Sequence, residues 1–187
     1  MISRRNLALL SLGGVFLTAL LALIGQIDPN PELDPFQLTV SDYAVMDRGG
    51  ATDTAMVLFG GSALALMLAL RSRVALPLLL FSVAMIVAAI APTDFGTELS
   101  TVGYIHRYAS MAAFIALPLA AWRIRDLPLA RTIRLSAATS GVFMVLMLIS
   151  STIGDRLLIG LVERLLLLCE LAVLGLRSEE HQSEIQS

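Results

Sequence analysis

VGYIHRYASMAAFIALPLAAW, Val102–Trp122, is apolar enough to lie in lipid, yet it carries His106 and Arg107 side by side near its start. A charged side chain at the bilayer centre costs roughly 2.5–3.5 kcal/mol on insertion scales. A membrane helix that keeps such residues turns them toward a protein interior, a water-filled cavity or the interface. One stretch thus predicts a polytopic membrane protein with polar chemistry inside it.

The rest of the chain agrees. Of its 187 residues 57% are hydrophobic, and the mean hydropathy is +0.81. A bilayer core of about 30 Å takes about 20 apolar helical residues. Six stretches approach that length: Leu7–Ile27, Ala51–Leu70, Val74–Ala91, Val102–Trp122, Ile133–Ile153 and Leu157–Leu176. MISRRN followed by an apolar run resembles a signal peptide, but the run is longer than a signal core and no A-x-A site follows it, so we expect a retained first span. The expected fold is all-α: one six-helix transmembrane domain over residues 1–176, then a polar, disordered cytoplasmic tail over 177–187.

Every basic side chain among the 13 Lys and Arg is an arginine. With the amino terminus in the cytoplasm, nine of them (4, 5, 71, 73, 123, 125, 131, 134 and 177) fall on the cytoplasmic side. The positive-inside rule therefore places both termini inside, in a multi-pass plasma-membrane protein. Net charge is −2 and no basic face exists outside short loops, so a nucleic-acid partner is excluded. One cysteine, Cys169, excludes an internal disulfide and a multi-thiolate metal site. The short connections predict that sequence neighbours pack together. The exception is the extracytoplasmic loop 28–50, of which FQLTVSDYAVMD should pack over the mouth of the bundle.

Polar groups that lipid would not tolerate collect toward the outer side. Asp53 opens the second span, Asp94 and Glu98 precede the fourth, and Ser41, Asp42 and Asp47 lie in the long loop. His106 and Arg107 belong to the fourth span, and Glu163, Arg164 and Glu170 to the sixth. Only Glu170 lies nearer the inner side. Arg156, Gly160, Glu163, Leu167 and Glu170 share one helix face, and Gly160 leaves it thin enough for another backbone or a ligand to approach. Glu163 lies about 9 Å below the helix end. Such residues need partners, so Glu163 is expected to pair with His106 or Arg107, and Arg164 with Asp42, Asp53 or Asp94. Gly103 and Ser110 beside His106 leave room for a pocket. The candidate binding set is Ser41, Asp42, Asp53, Asp94, His106, Arg107, Glu163 and Arg164. A role for these residues that is only structural stays open beside it.

No phosphate-cradling glycine loop, G-x-S-x-G, H-E-x-x-H or paired haem histidine occurs, so no cofactor and no metal is expected. DPNPELD has the alternating oxygens of a calcium loop without its glycine and glutamate. Ser41, Asp42 and His106 supply the residue types of a nucleophile and base; only distances can tell.

SDYAV, APTDFG, GYIHRYASMAAFIALPLAA and GLVERLLLLCEL, in this order, resemble the bacterial and archaeal membrane family called domain of unknown function 998. The resemblance extends from about Leu7 to Leu176, and its pattern falls on Ser41, Asp42, Pro92, Thr93, Asp94, His106, Glu163 and Arg164. It departs at ELAVLGL, where Ala172 and Val173 stand in place of an aromatic residue. The resemblance implies a six-span fold in a prokaryotic membrane and no assigned activity. Three functions remain: binding or carrying a lipid headgroup or small amphiphile in an outer polar pocket, an accessory subunit docking on a membrane-protein partner, and a membrane-embedded hydrolase using Asp, His and Glu. The hydrolase requires His106 within hydrogen-bond reach of a hydroxyl or water.

Overall fold

The computed structural model describes residues 2–27, 33–45, 49–70, 74–94, 98–124 and 127–186. Asp47, Arg48, Arg71, Arg73 and Arg125 lie outside them, as do residues 28–32 of the acidic stretch. Seven helices are described: α1 (Arg4–Gln26), α2 (Val40–Tyr43), α3 (Gly49–Leu70), α4 (Ala75–Ile90), α5 (Thr101–Trp122), α6 (Ala130–Thr152) and α7 (Ile159–Gln186). There is no strand among the described residues.

Helix ends follow local chemistry. The Ser3 hydroxyl accepts from Asn6 N at 3.2 Å to open α1, and the Ser100 hydroxyl accepts from Gly103 N at 3.1 Å to open α5. Each supplies an acceptor to an N–H that has none within its helix. Pro118 sits inside α5, as prolines do in membrane helices whose neighbours restore the freed backbone groups.

The six long helices cover the six apolar stretches. Three of them, Arg4–Gln26, Gly50–Leu70 and Ala130–Thr152, are long and apolar enough to cross a membrane. The fourth helix, α4, is a shorter apolar helix of 16 residues. Helices α5 and α7 carry the charged residues that the sequence singled out.

Packing follows chain order, as the short connections require. Each long helix packs on the next, and α7 closes the ring on α1 while also touching α3 and α5. Phe59 and Phe81 meet edge to face in the core, with centroids 4.9 Å apart. Small residues set the closest approaches: a Cβ on Gly14 would collide with the Ser62 hydroxyl, and one on Gly60 would lie 2.8 Å from Ser82 O. The outside is apolar. Phe16, Leu76 and Ile90 are 72%, 73% and 74% exposed, and soluble monomers rarely leave so much apolar surface to water.

One expectation fails. The tail after Arg177 is helical, because α7 continues to Gln186. Ser178, Glu180 and His181 are buried. The Ser178 hydroxyl bonds that of Ser11 on α1 at 2.8 Å, and the Glu180 carboxylate accepts from Leu129 N at the start of α6. The segment is polar, but its Arg, Glu and Gln are good helix formers, and it finds partners on two neighbouring helices.

Candidate functional site

The site is organised by a four-residue helix. The chain descends from Leu33, turns at Pro35–Leu38 and enters α2 through Thr39. Thr39 and Asp42 form a capping box, with Thr39 N donating to Asp42 Oδ2 at 2.9 Å and Asp42 N donating to Thr39 Oγ1 at 3.0 Å. A helix this short cannot hold itself together. Each of its four residues is tied to a different place. Val40 N donates to the Glu163 carboxylate on α7, and Ser41 bonds His106 on α5 at 2.9 Å. Arg156 donates to Asp42 at 2.6 Å, and the Tyr43 hydroxyl donates to Leu33 O at 2.6 Å.

His106 is 7% exposed and held at both ring nitrogens. Its Nδ1 lies 2.8 Å from Ala88 O and 2.8 Å from Ala91 O. Carbonyl oxygens only accept, so Nδ1 carries the proton and Nε2 of the neutral ring is left to accept from the Ser41 hydroxyl. The cause lies in the sequence of α4. Ala91 N bonds Val87 O at 2.9 Å, closing the last turn. The next donor, for Ala88 O, would be residue 92, which is proline and has no N–H. His106 supplies the missing donor. Ser41 Oγ, His106 and the two carbonyls thus lie in one hydrogen-bonded line, a geometry in which the ring could take a proton from the hydroxyl.

Glu163 and Arg164 are brought to this end of the bundle as expected, with different partners. Glu163 is 4% exposed and binds the backbone of α2 rather than His106 or Arg107. Arg164 donates to Pro35 O and Leu38 O at 2.7 Å each, to Gly160 O at 2.9 Å and to the Gln26 side-chain oxygen of α1. Its guanidinium also sits 5.0 Å from the centre of the Tyr43 ring. It pairs with none of Asp42, Asp53 or Asp94 through a hydrogen-bonded ion pair. Arg156, at φ 61° in the turn before α7, takes Asp42 instead. Gly160 serves a backbone, as its size suggested: a Cβ there would collide with Leu38 O.

The other candidates separate. The Asp94 carboxylate accepts from Ser100 N at 2.6 Å and from the Ser100 hydroxyl at 3.0 Å, so it braces the start of α5. It also fills the space at Gly103, where a Cβ would collide with Asp94 Oδ2; the expected room beside His106 is therefore taken on that side. Asp53 is half-buried on α3 and within electrostatic range of the His106 ring. Arg107 is exposed, turned away from His106, and has no partner among the described residues. Glu170 is fully buried next to Ser140 of α6, but neither forms a hydrogen bond of good geometry.

Gln26, Tyr43 and the carbonyls of Ala88 and Ala91 were not singled out from the sequence, and Arg156 was placed on the face of Glu163 without a partner. Pro92 closing an apolar helix was a legible signal, since it leaves a carbonyl without its donor. Beneath Val40 lies a cavity of about 50 Å³, lined among others by Thr52, Phe59, Met85 and Leu167. Among the described residues no group of three or more His, Cys, Asp or Glu could hold a metal ion.

A family model described as "Protein of unknown function (DUF998)" matches residues 12–177. The chain belongs to this family. The DUF998 match takes in α2, the Pro92 break, His106, Glu163 and Arg164, and it ends before the buried Ser178, Glu180 and His181. No curated protein and no solved structure matches the chain.

Proposed function

We propose that this DUF998 protein spans the plasma membrane six times with both termini in the cytoplasm, and that it is a membrane-embedded hydrolase of acylated amphiphiles. Ser41 is the nucleophile and His106 the general base. The observation that carries this reading is the 2.9 Å contact between Ser41 Oγ and His106 Nε2, with Nδ1 fixed on two carbonyls. A carrier calls for a cavity the size of a headgroup, and the space under α2 is about 50 Å³.

The chemistry is acyl transfer. Ser41 Oγ bonds to the carbonyl carbon of the substrate ester as its proton passes to His106 Nε2. The imidazolium is stabilised by the carbonyls at Nδ1 and by the nearby Asp53 carboxylate. The tetrahedral adduct expels the alcohol, which takes the proton from Nε2. Water then attacks the acyl-Ser41 ester, gives its proton to Nε2, and Ser41 regains that proton as the carboxylic acid leaves. One water is consumed and the enzyme is restored. Glu163, Arg164 and Arg156 hold α2, and so Ser41, in place.

An alkyl fluorophosphonate, which phosphonylates activated serines, tests this directly. The detergent-solubilised protein should be labelled on the peptide containing Ser41. Ser41→Ala should abolish the label, and His106→Gln should slow it about 10²–10⁴-fold. Labelling of the wild type no faster than of Ser41→Ala would overturn the reading.

A further inference from the structure

The outward face of α5 carries a charge that nothing in the described chain answers. Tyr104, Arg107 and Tyr108 stand at spacings of three and four residues and share one side of the helix. His106 faces inward, while Tyr104 and Tyr108 are 48% and 64% exposed. Their rings stack with centroids 6.2 Å apart and planes 18° apart. Arg107 lies between them on the sequence and is exposed, without a hydrogen bond or ion pair to any described residue. Of the two acids before the helix, Asp94 is spent on Ser100, and Glu98, exposed three residues ahead of α5, makes no ion pair with Arg107.

A guanidinium stays charged at any pH of interest, and this one is free to take an anion from outside the chain. Arg107 is six residues into α5, about 9 Å along the axis, and in a spanning helix its long side chain reaches the interface from there. The anion found there is the phosphate of a phospholipid. A guanidinium fork fits phosphate with two parallel hydrogen bonds, and tyrosine rings sit well at headgroup level with their hydroxyls toward the polar side. The same side of the helix continues as an exposed apolar strip through Met111, Ile115 and Leu119, 43%, 43% and 52% exposed, along which acyl chains can lie.

We infer that Tyr104, Arg107 and Tyr108 form a docking surface for the phosphate of a glycerophospholipid, with its chains along the outer face of α5. This rests on the reading of α5 as a membrane-spanning helix, and it names a phosphate-bearing lipid as the amphiphile held on the outer face of the helix whose inner face carries His106. It does not depend on the reactivity of Ser41.

Native mass spectrometry of the full chain in detergent, titrated with dioleoylphosphatidylglycerol or with dioleoylglycerol, tests it. The wild type should retain the phospholipid about tenfold better than the diacylglycerol. Arg107→Gln should erase that preference, Arg107→Lys should keep part of it, and Tyr104→Leu with Tyr108→Leu should weaken it. Ser41→Ala should leave it intact, which separates this outcome from the labelling experiment. Millimolar inorganic phosphate should not displace the lipid. Equal retention of the two lipids by the wild type, an unchanged preference in Arg107→Gln, or displacement by free phosphate would overturn the proposal.

Discussion

Pro92 and His106 show how one missing hydrogen can set up a site. Without a proline N–H, the Ala88 carbonyl has no donor in its own helix, and the His106 ring takes the place. The ring is then oriented with its lone pair toward Ser41. Restoring the donor should undo this. In Pro92→Ala, the new backbone N–H can bond Ala88 O, and His106 should relax toward a mixture of tautomers. The chain has 2 histidines, so ¹⁵N spectra of a His181→Gln background report on His106 alone. A single Nδ1–H tautomer is expected with Pro92 and a mixture in the alanine variant; an unchanged spectrum would show that the ring is held by something else. At this scale the sequence was legible for residue type and for the burial of Glu163. Glu163 and Arg164 had to be buried among partners because lipid would not accept them. Their partners were not legible, since both bind backbone carbonyls or N–H groups, and backbone groups carry no signature in residue identity.

Two elements behave in ways that their own composition does not state. The four-residue helix α2 exists because α5, α7 and the turn before α7 each take one of its residues. That turn is itself strained: Asp155, Arg156 and Leu158 have φ of 48°, 61° and 53°, a conformation that costs non-glycine residues roughly 1–2 kcal/mol each. The Arg156–Asp42 pair and a bond from Leu158 N to the Gln37 side chain tie it to the loop before and within α2. At the other end, α6 begins at Leu129, whose side chain cannot cap. Glu180 of α7 does so from a neighbouring helix, adding a negative charge at the positive end of the α6 dipole. Glu180→Ala should therefore lower stability by about 1 kcal/mol, the usual loss for a missing cap. Glu179→Ala, one residue away and exposed, should change little. Thermal unfolding in detergent compares the two, and equal shifts would mean that the cap carries no weight. The helicity of this segment was missed because a polar sequence reads as a tail until its partners are known.

For the whole molecule, the arginine asymmetry predicts an orientation that can be measured. In a Cys169→Ala background, a cysteine in place of Phe36, which is 51% exposed, should react with an impermeant maleimide on intact cells. A cysteine in place of Arg131 at the start of α6 should react only after permeabilisation. The reverse pattern would invert the topology and place the Ser41 site on the cytoplasmic face. The sequence by itself determined that the chain is helical and membrane-type, and it located six apolar helices to within three residues at every end but the last. It could do so because hydropathy and helix period are local properties, readable over about 20 residues. It also marked His106 and Glu163 as residues that had to face inward, because the cost of burying charge does not depend on which partner is found, whereas Arg107, marked with them, lies exposed. Only the tertiary structure decided the partners. Ser41 and His106 are 65 residues apart and Val40 and Glu163 are 123 apart. Contacts over such separations depend on the order in which the ring of helices closes and on where a short loop helix settles among them, and no local pattern in the chain encodes either.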